Sequence, residues 1–135
     1  MRVTQILETC LYVDDLEAAE AFYATVLGLE LYAKLPGRHV FFRCGDGMFL
    51  LFDPRATSQP VDNFPTHGAH GAGHGAFAVA PEDLPAWREQ LGRHGVPIEA
   101  EIAWPSGGQS LYFRDPAGNS LELATPTTWG TPNQP

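Results

Sequence analysis

The sequence predicts an α+β fold built from two tandem βαβββ modules, and three observations carry that prediction. A strand phrase is written twice, as Leu7–Val13 (LETCLYV) and Gly73–Val79 (GHGAFAV), with Glu8 in the first where His74 stands in the second. A helix signal follows each copy. The far ends also align, with small gaps in the turns. GRHVFFRCGDGMFLLFDP (37–54) lies over GGQSLYFRDPAGNSLELATP (107–126), placing Phe42-Arg43 on Phe113-Arg114, Pro54 on Pro126 and Leu50 opposite Glu122.

The first strand is expected over Gln5–Val13, where residues alternate between two faces. Leu7, Thr9, Leu11 and Val13 form a largely apolar side suited to packing under a helix, while Ile6, Glu8, Cys10 and Tyr12 form the side that lines a cavity. Asp14 and Asp15 open the helix, with Glu17 and Glu20 in its first turns where the helix dipole favours anions. Leu16, Ala19, Phe22, Tyr23 and Val26 recur at helical spacing, and Gly28 supplies the stop. Leu29–Leu35 reads as a strand ended by Pro36-Gly37, and Arg38–Arg43 with Met48–Phe52 as a hairpin around Cys44–Gly47.

Residues 55–72, rich in Pro and Gly and without periodicity, read as the connection between modules. The second module repeats the order. Gly73–Val79 is its first strand, and Pro81-Glu82-Asp83 starts a helix with the stripe Leu84, Trp87 and Leu91, closed by Gly95. Ile98–Trp104, Gln109–Arg114 and Ser120–Ala124 are its remaining strands, the last two joined by an Asp115–Asn119 turn with Asp, Pro and Gly where a type I turn favours them. The modules are thus expected at 3–54 and 73–126, with a tail at 127–135 in which Trp129 reads as a packing anchor, within the chain or at a dimer contact, rather than a catalytic group.

Composition bounds the function. The 135 residues include 44% hydrophobic and 18% charged residues, ordinary values for a soluble globule able to bury a real core. A formal charge of −8 argues against nucleic acid and anionic membrane as partners, which need a basic patch. No secretory pattern is visible at the start, and no apolar run reaches the roughly 20 residues of a membrane span. Cys10 and Cys44 fit no zinc spacing and read as reduced thiols. A cytoplasmic protein is expected.

The duplication brings chemistry with it. The second module offers His74 and Glu122, and the first offers Glu8 with Leu50 in place of a second ligand. Two carboxylates and an imidazole make a mixed O/N site that suits Fe, Mn, Ni, Co or Zn as the divalent metal. Taken singly, each residue has an ordinary reading: Glu8 as a solvated carboxylate, His74 as a core histidine, Glu122 as a partner of Arg114 or Arg43. Their corresponding positions make the joint reading the stronger one. By strand parity Tyr12, His39, Phe41 and Tyr112, with Leu50 by register, fall on the cavity side, where they either shape an aromatic substrate pocket or simply fill the interior. His67 and His70, in THGAHGAGH, either fold over its mouth as acid/base groups or stay in solvent as part of a polar linker.

The phrases YVDDLEAAEAFYATVLGLEL, GHGAFAV and YFRDPAGNSLEL resemble the vicinal oxygen chelate superfamily, which holds glyoxalase I, fosfomycin-resistance thiol transferases, extradiol dioxygenases and bleomycin-binding proteins. The resemblance runs from about Val3 to Pro126. It implies two βαβββ modules wrapped into an open, cup-shaped β-barrel around a divalent metal, usually in a homodimer. It also implies a metal-dependent enzyme acting on a small substrate that chelates the ion through vicinal oxygens. Carried over by position, the ligands are Glu8, His74 and Glu122. Glu8 departs from the usual histidine, which makes the ion a weaker Lewis acid, and Leu50 departs from the four-ligand pattern of glyoxalase I. The alternative from another class is a metal-free small-molecule binding protein of the bleomycin-resistance kind.

Overall fold

A computed structural model describes residues 1–130, so 131–135 of the expected tail lie outside the description. The chain divides into two compact units, residues 1–73 and the part that begins at His74. Each unit contains one four-stranded sheet, and the class is α+β.

In the first unit the sheet order is β1-β4-β3-β2, with β1 (Glu8–Tyr12) parallel to β4 (Gly47–Phe52), and β3 (His39–Cys44) antiparallel to both β4 and β2 (Glu30–Leu35). Helix α1 (Leu16–Thr25) starts where Asp15 caps it, the carboxylate accepting from the Ala18 N–H at 3.0 Å. It ends before Gly28, whose φ of +69° is the left-handed conformation that favours glycine. Ala19 and Tyr23 are buried, and the Tyr23 ring lies 5.0 Å from Phe49 and 6.1 Å from Phe42 between centroids. These contacts identify one face of the sheet as the helix-packed core, with Leu11, Val40, Phe42, Phe49 and Leu51 buried on it.

The strand β1 is shorter than the alternation predicts, and only the end of its apolar side is covered. Leu11 and Val13 are buried whereas Leu7 is 69% exposed. The reason is topological: α1 packs on the central strands β3 and β4, while β1 lies at the sheet edge. Part of the expected connection is also ordered. Helix α2 (Pro54–Thr57) begins at the Asp53 cap, and the His67 N–H donates to the Thr57 carbonyl at 3.1 Å.

The second unit has the matching order β5-β8-β7-β6, in which β5 (His74–Ala78) is parallel to β8 (Ser120–Ala124) and β7 (Gln109–Arg114) is antiparallel to β8 and β6 (Ala100–Ala103). Helix α3 (Leu84–Arg93), entered through a 3₁₀ turn at Pro81–Asp83, buries Leu84 and Leu91. Leu111, Phe113, Leu121 and Leu123 form the buried sheet face. The register repeats that of the first unit: Arg43 faces Met48 and Phe41 faces Leu50, as Arg114 faces Ser120 and Tyr112 faces Glu122.

The turn into β8 fixes that register. Buried Asp115 accepts the Ala117 and Asn119 backbone N–H groups at 2.9 Å each, and its other oxygen accepts the Asn119 amide at 2.9 Å. At the other end Gly108 meets the Thr128 backbone, where an added Cβ would lie 2.4 Å from its Cα. Trp129, expected as a packing anchor, is 94% exposed in the 3₁₀ turn Pro126–Trp129. It directly follows Thr128, the residue whose backbone meets Gly108. Among the described residues no helix is long and apolar enough to cross a membrane, and Cys10 and Cys44 are free.

Candidate metal centre and its surroundings

His74 and Glu122 meet on the face of the second sheet that α3 does not cover. Strand alternation turns Leu121 and Leu123 into the core and Glu122 to the other side, where Tyr112 lies directly across and His74 begins the adjacent β5. The His74 Nδ1–H donates to the Ser120 carbonyl at 2.9 Å. That bond occupies Nδ1 and turns the other ring nitrogen, Nε2, toward Glu122 Oε2, 3.3 Å away.

Glu122 is a buried carboxylate, 7% exposed, and its support is local. The Ser110 hydroxyl donates to Oε1 at 2.5 Å, and the Trp104 indole N–H donates to the Ser110 oxygen at 2.8 Å. Ser110 is itself buried on β7, two residues before Tyr112 and on the same face. The Tyr112 phenol is raised above its ordinary pKa, first by burial and then by its hydrogen bond to Glu122 and that group's charge. Its ring stacks near His74, with centroids 6.3 Å apart and planes 21° from parallel. One oxygen of Glu122 is therefore locked while the other stands beside an imidazole nitrogen.

The corresponding face of the first sheet is aromatic. His39 stacks on Phe41 at 4.0 Å, Phe52 meets Phe41 edge-on at 5.5 Å, and Tyr12 lies 6.3 Å from Phe52. Leu50, where the second sheet has Glu122, is buried opposite Cys10 and Phe41. The His39 imidazole is held below its usual pKa by burial and then by Arg38, and its buried Nδ1 has no hydrogen-bond partner. Tyr12 is raised above the usual phenol value by burial and then by Cys10.

Of the histidines in the connection, His67 touches this face. Its Nδ1 is 2.7 Å from the Tyr12 hydroxyl and its ring is 4.7 Å from Phe52. His70 is exposed. Glu8 is exposed at the start of β1, opposite Met48. The structure thus pairs His74 with Glu122, and among the described residues no three His, Cys, Asp or Glu side chains gather as a metal cluster. Sequence reasoning missed Ser110 and Trp104. The available signal was the parity of Ser110 with Tyr112 on β7.

Comparison with known proteins adds to this geometry. Residues 5–123 match the family described as Glyoxalase/Bleomycin resistance protein/Dioxygenase superfamily. Glutathione transferase FosA of Serratia marcescens is 35% identical over 84% of this chain and 74% of its own length. Lactoylglutathione lyase of Haemophilus influenzae is 26% identical over 88% and 90%. Among solved structures, that of a lactoylglutathione lyase from Agrobacterium tumefaciens is 45% identical and covers 97% of this chain and all of its own, with a TM-score of 0.93.

Proposed function

The chain belongs to the Glyoxalase/Bleomycin resistance protein/Dioxygenase superfamily, and from that premise we propose that it is a metal-dependent enzyme acting on a small molecule that chelates a divalent ion through vicinal oxygens. The observation that carries this reading is the His74–Glu122 pair. Two donors bound to one ion at about 2.0–2.2 Å stand roughly 3–3.5 Å apart, and His74 Nε2 lies 3.3 Å from Glu122 Oε2. The backbone acceptor behind Nδ1 and the hydroxyl behind Oε1 are the second layer of support that metal ligands carry. The residues fit the group.

His74 and Glu122 would hold the ion, with Glu8 as third ligand from the corresponding position of the first module, in the same chain or in a second copy. A homodimer is proposed with it. A bound divalent ion supplies Lewis-acid stabilisation of charge developing on a substrate oxygen. The protein supplies position and protons. Ser110 and Trp104 keep the Glu122 carboxylate oriented, and Tyr112 keeps its proton because burial and Glu122 oppose ionisation. Leu50 leaves the corresponding position of the first module without a carboxylate to shuttle a carbon-bound proton. That favours addition of a nucleophile to the chelated substrate over isomerisation. The relatives include proteins named as thiol transferases as well as a lyase, so a thiol is the nucleophile to test first.

The test is elemental analysis of tag-free protein and of Glu8→Ala, His74→Ala and Glu122→Gln. Near-stoichiometric divalent metal that falls in all three variants is expected. Protein that takes up no added ion would overturn the proposal in favour of a metal-free binding protein. Activity with a thiol and an electrophilic vicinal-oxygen substrate, against activity on a hemithioacetal, then separates addition from isomerisation.

A further inference from the structure

Beside the His74–Glu122 pair lies a groove of about 320 Å³ lined by Glu99, Ala100, Ile102, Trp104, Tyr112, Arg114 and Ser120. That volume suits a small molecule. Its middle is apolar and aromatic, from Ile102, Trp104 and Tyr112, and its end is ionic. Arg114 and His74 share one cross-strand row through Ser120. Two strand spacings put their backbones about 10 Å apart, the reach of a molecule that touches the metal pair at one end and Arg114 at the other.

Arg114 carries a fixed cation. Its Nη1–H donates to the Gly118 carbonyl at 3.1 Å, which ties the guanidinium to the Asp115–Asn119 turn. Glu99 occupies the other edge with two parallel contacts of 2.8 and 3.1 Å. Both side chains are about half exposed, so solvent screens the pair and a ligand anion can exchange with Glu99. Glu99 can swing into solvent, whereas Arg114 keeps its carbonyl anchor. The pair has the form of a recognition fork holding an internal anion in the place of a ligand. In a chain of net charge −8, an anionic ligand needs such a local cation.

We propose that Arg114 is an anion-recognition residue, that Glu99 is the carboxylate a ligand displaces, and that the substrate class is an organic anion with an apolar or aromatic body lying on Ile102, Trp104 and Tyr112. This deepens the proposed function by naming the substrate class and rests on it for the reaction alone, because the groove needs no metal to bind.

The experiment is calorimetric titration of chelator-treated protein with phenylphosphonate and phenylacetate, with 2-phenylethanol as the neutral control. The anions bind more tightly than the alcohol. Arg114→Met weakens them about tenfold or more and leaves the alcohol unchanged, Arg114→Lys weakens them less, and Glu99→Gln tightens them. Thermal melts confirm folding, and the lysine variant answers for a methionine variant that fails to fold. Equal affinity for anion and alcohol, anion binding that survives Arg114→Met, weaker binding in Glu99→Gln, or no binding at millimolar ligand would each overturn the proposal. Metal content is measured on the same preparations before chelation. Anion binding by a chain that never takes up metal sinks the proposed function and leaves this one standing.

Discussion

The two sheets have the same strand order and the same register, yet their uncovered faces are chemical opposites. At the centre of the first is Leu50, surrounded by Phe41, Phe52 and His39. At the centre of the second is Glu122, served by Ser110, Trp104 and Tyr112. The difference follows from three substitutions at corresponding positions: leucine for glutamate, phenylalanine for tyrosine, histidine for serine. A buried carboxylate needs donors, and Phe41 in place of Tyr112 takes one away, whereas Leu50 needs none. The comparison teaches that the backbone offers a site twice and that the side chains furnish it once.

Exchanging the two central residues is the most direct way to break the contrast. Glu122→Leu should lower metal affinity by about a hundredfold or more, since it removes a proposed ligand outright. It should also cost about 1–3 kcal/mol of stability, because the buried Ser110 hydroxyl loses its acceptor. Leu50→Glu should act on stability alone. It gains no metal and costs about 2–4 kcal/mol of stability, since a carboxylate is buried among aromatic rings. Denaturant titration and metal analysis on both variants decide the matter. A stable Leu50→Glu chain would mean that the aromatic face is more permissive than its packing indicates.

A smaller change sharpens the same comparison. Ser110→Ala keeps both proposed ligands and removes the hydroxyl between Trp104 and Glu122. Metal affinity should fall by about 10–100-fold, the range for loss of an outer hydrogen bond, and stability by about 1–3 kcal/mol from the unpaired buried groups. Competition with a fluorescent chelator reads the first and thermal melting the second. Unchanged affinity would reduce Ser110 to a packing residue.

Much of the fold was legible in the residues. Asp15 and Gly28 mark the ends of the first helix, and the Phe42-Arg43 and Phe113-Arg114 match fixes a register that the strand pairing reproduces. His74 and Glu122 were legible as corresponding positions of a duplicated strand pair. Their support was not. Ser110 and Trp104 lie six residues apart across a turn through Gly107 and Gly108, and only the turn geometry brings the indole to the hydroxyl. The covering of β1 was misjudged for a related reason: periodicity says which residues share a face but not which strand the helix sits on. His67 was separable from His70 only through a backbone bond to Thr57 that no sequence pattern announces.

The gentlest test addresses the aromatic face alone. His39 is held below its ordinary pKa by burial and then by Arg38, so the folded state resists the proton that the unfolded chain accepts near pH 6.5. Its contribution to stability is therefore full above that value and is lost as pH falls from about 6.5 toward the lower folded pKa. His39→Phe preserves the stack on Phe41 and removes the titration. The wild type should lose stability over this interval relative to the variant, with the difference largest at the acid end. Ser110, the corresponding residue of the second sheet, carries no such titration, so Ser110→Ala should run parallel to wild type across the same pH range. Parallel curves for wild type and His39→Phe would show that the imidazole is as accessible to protons folded as unfolded. The first face would then be wetter than its stacked rings imply.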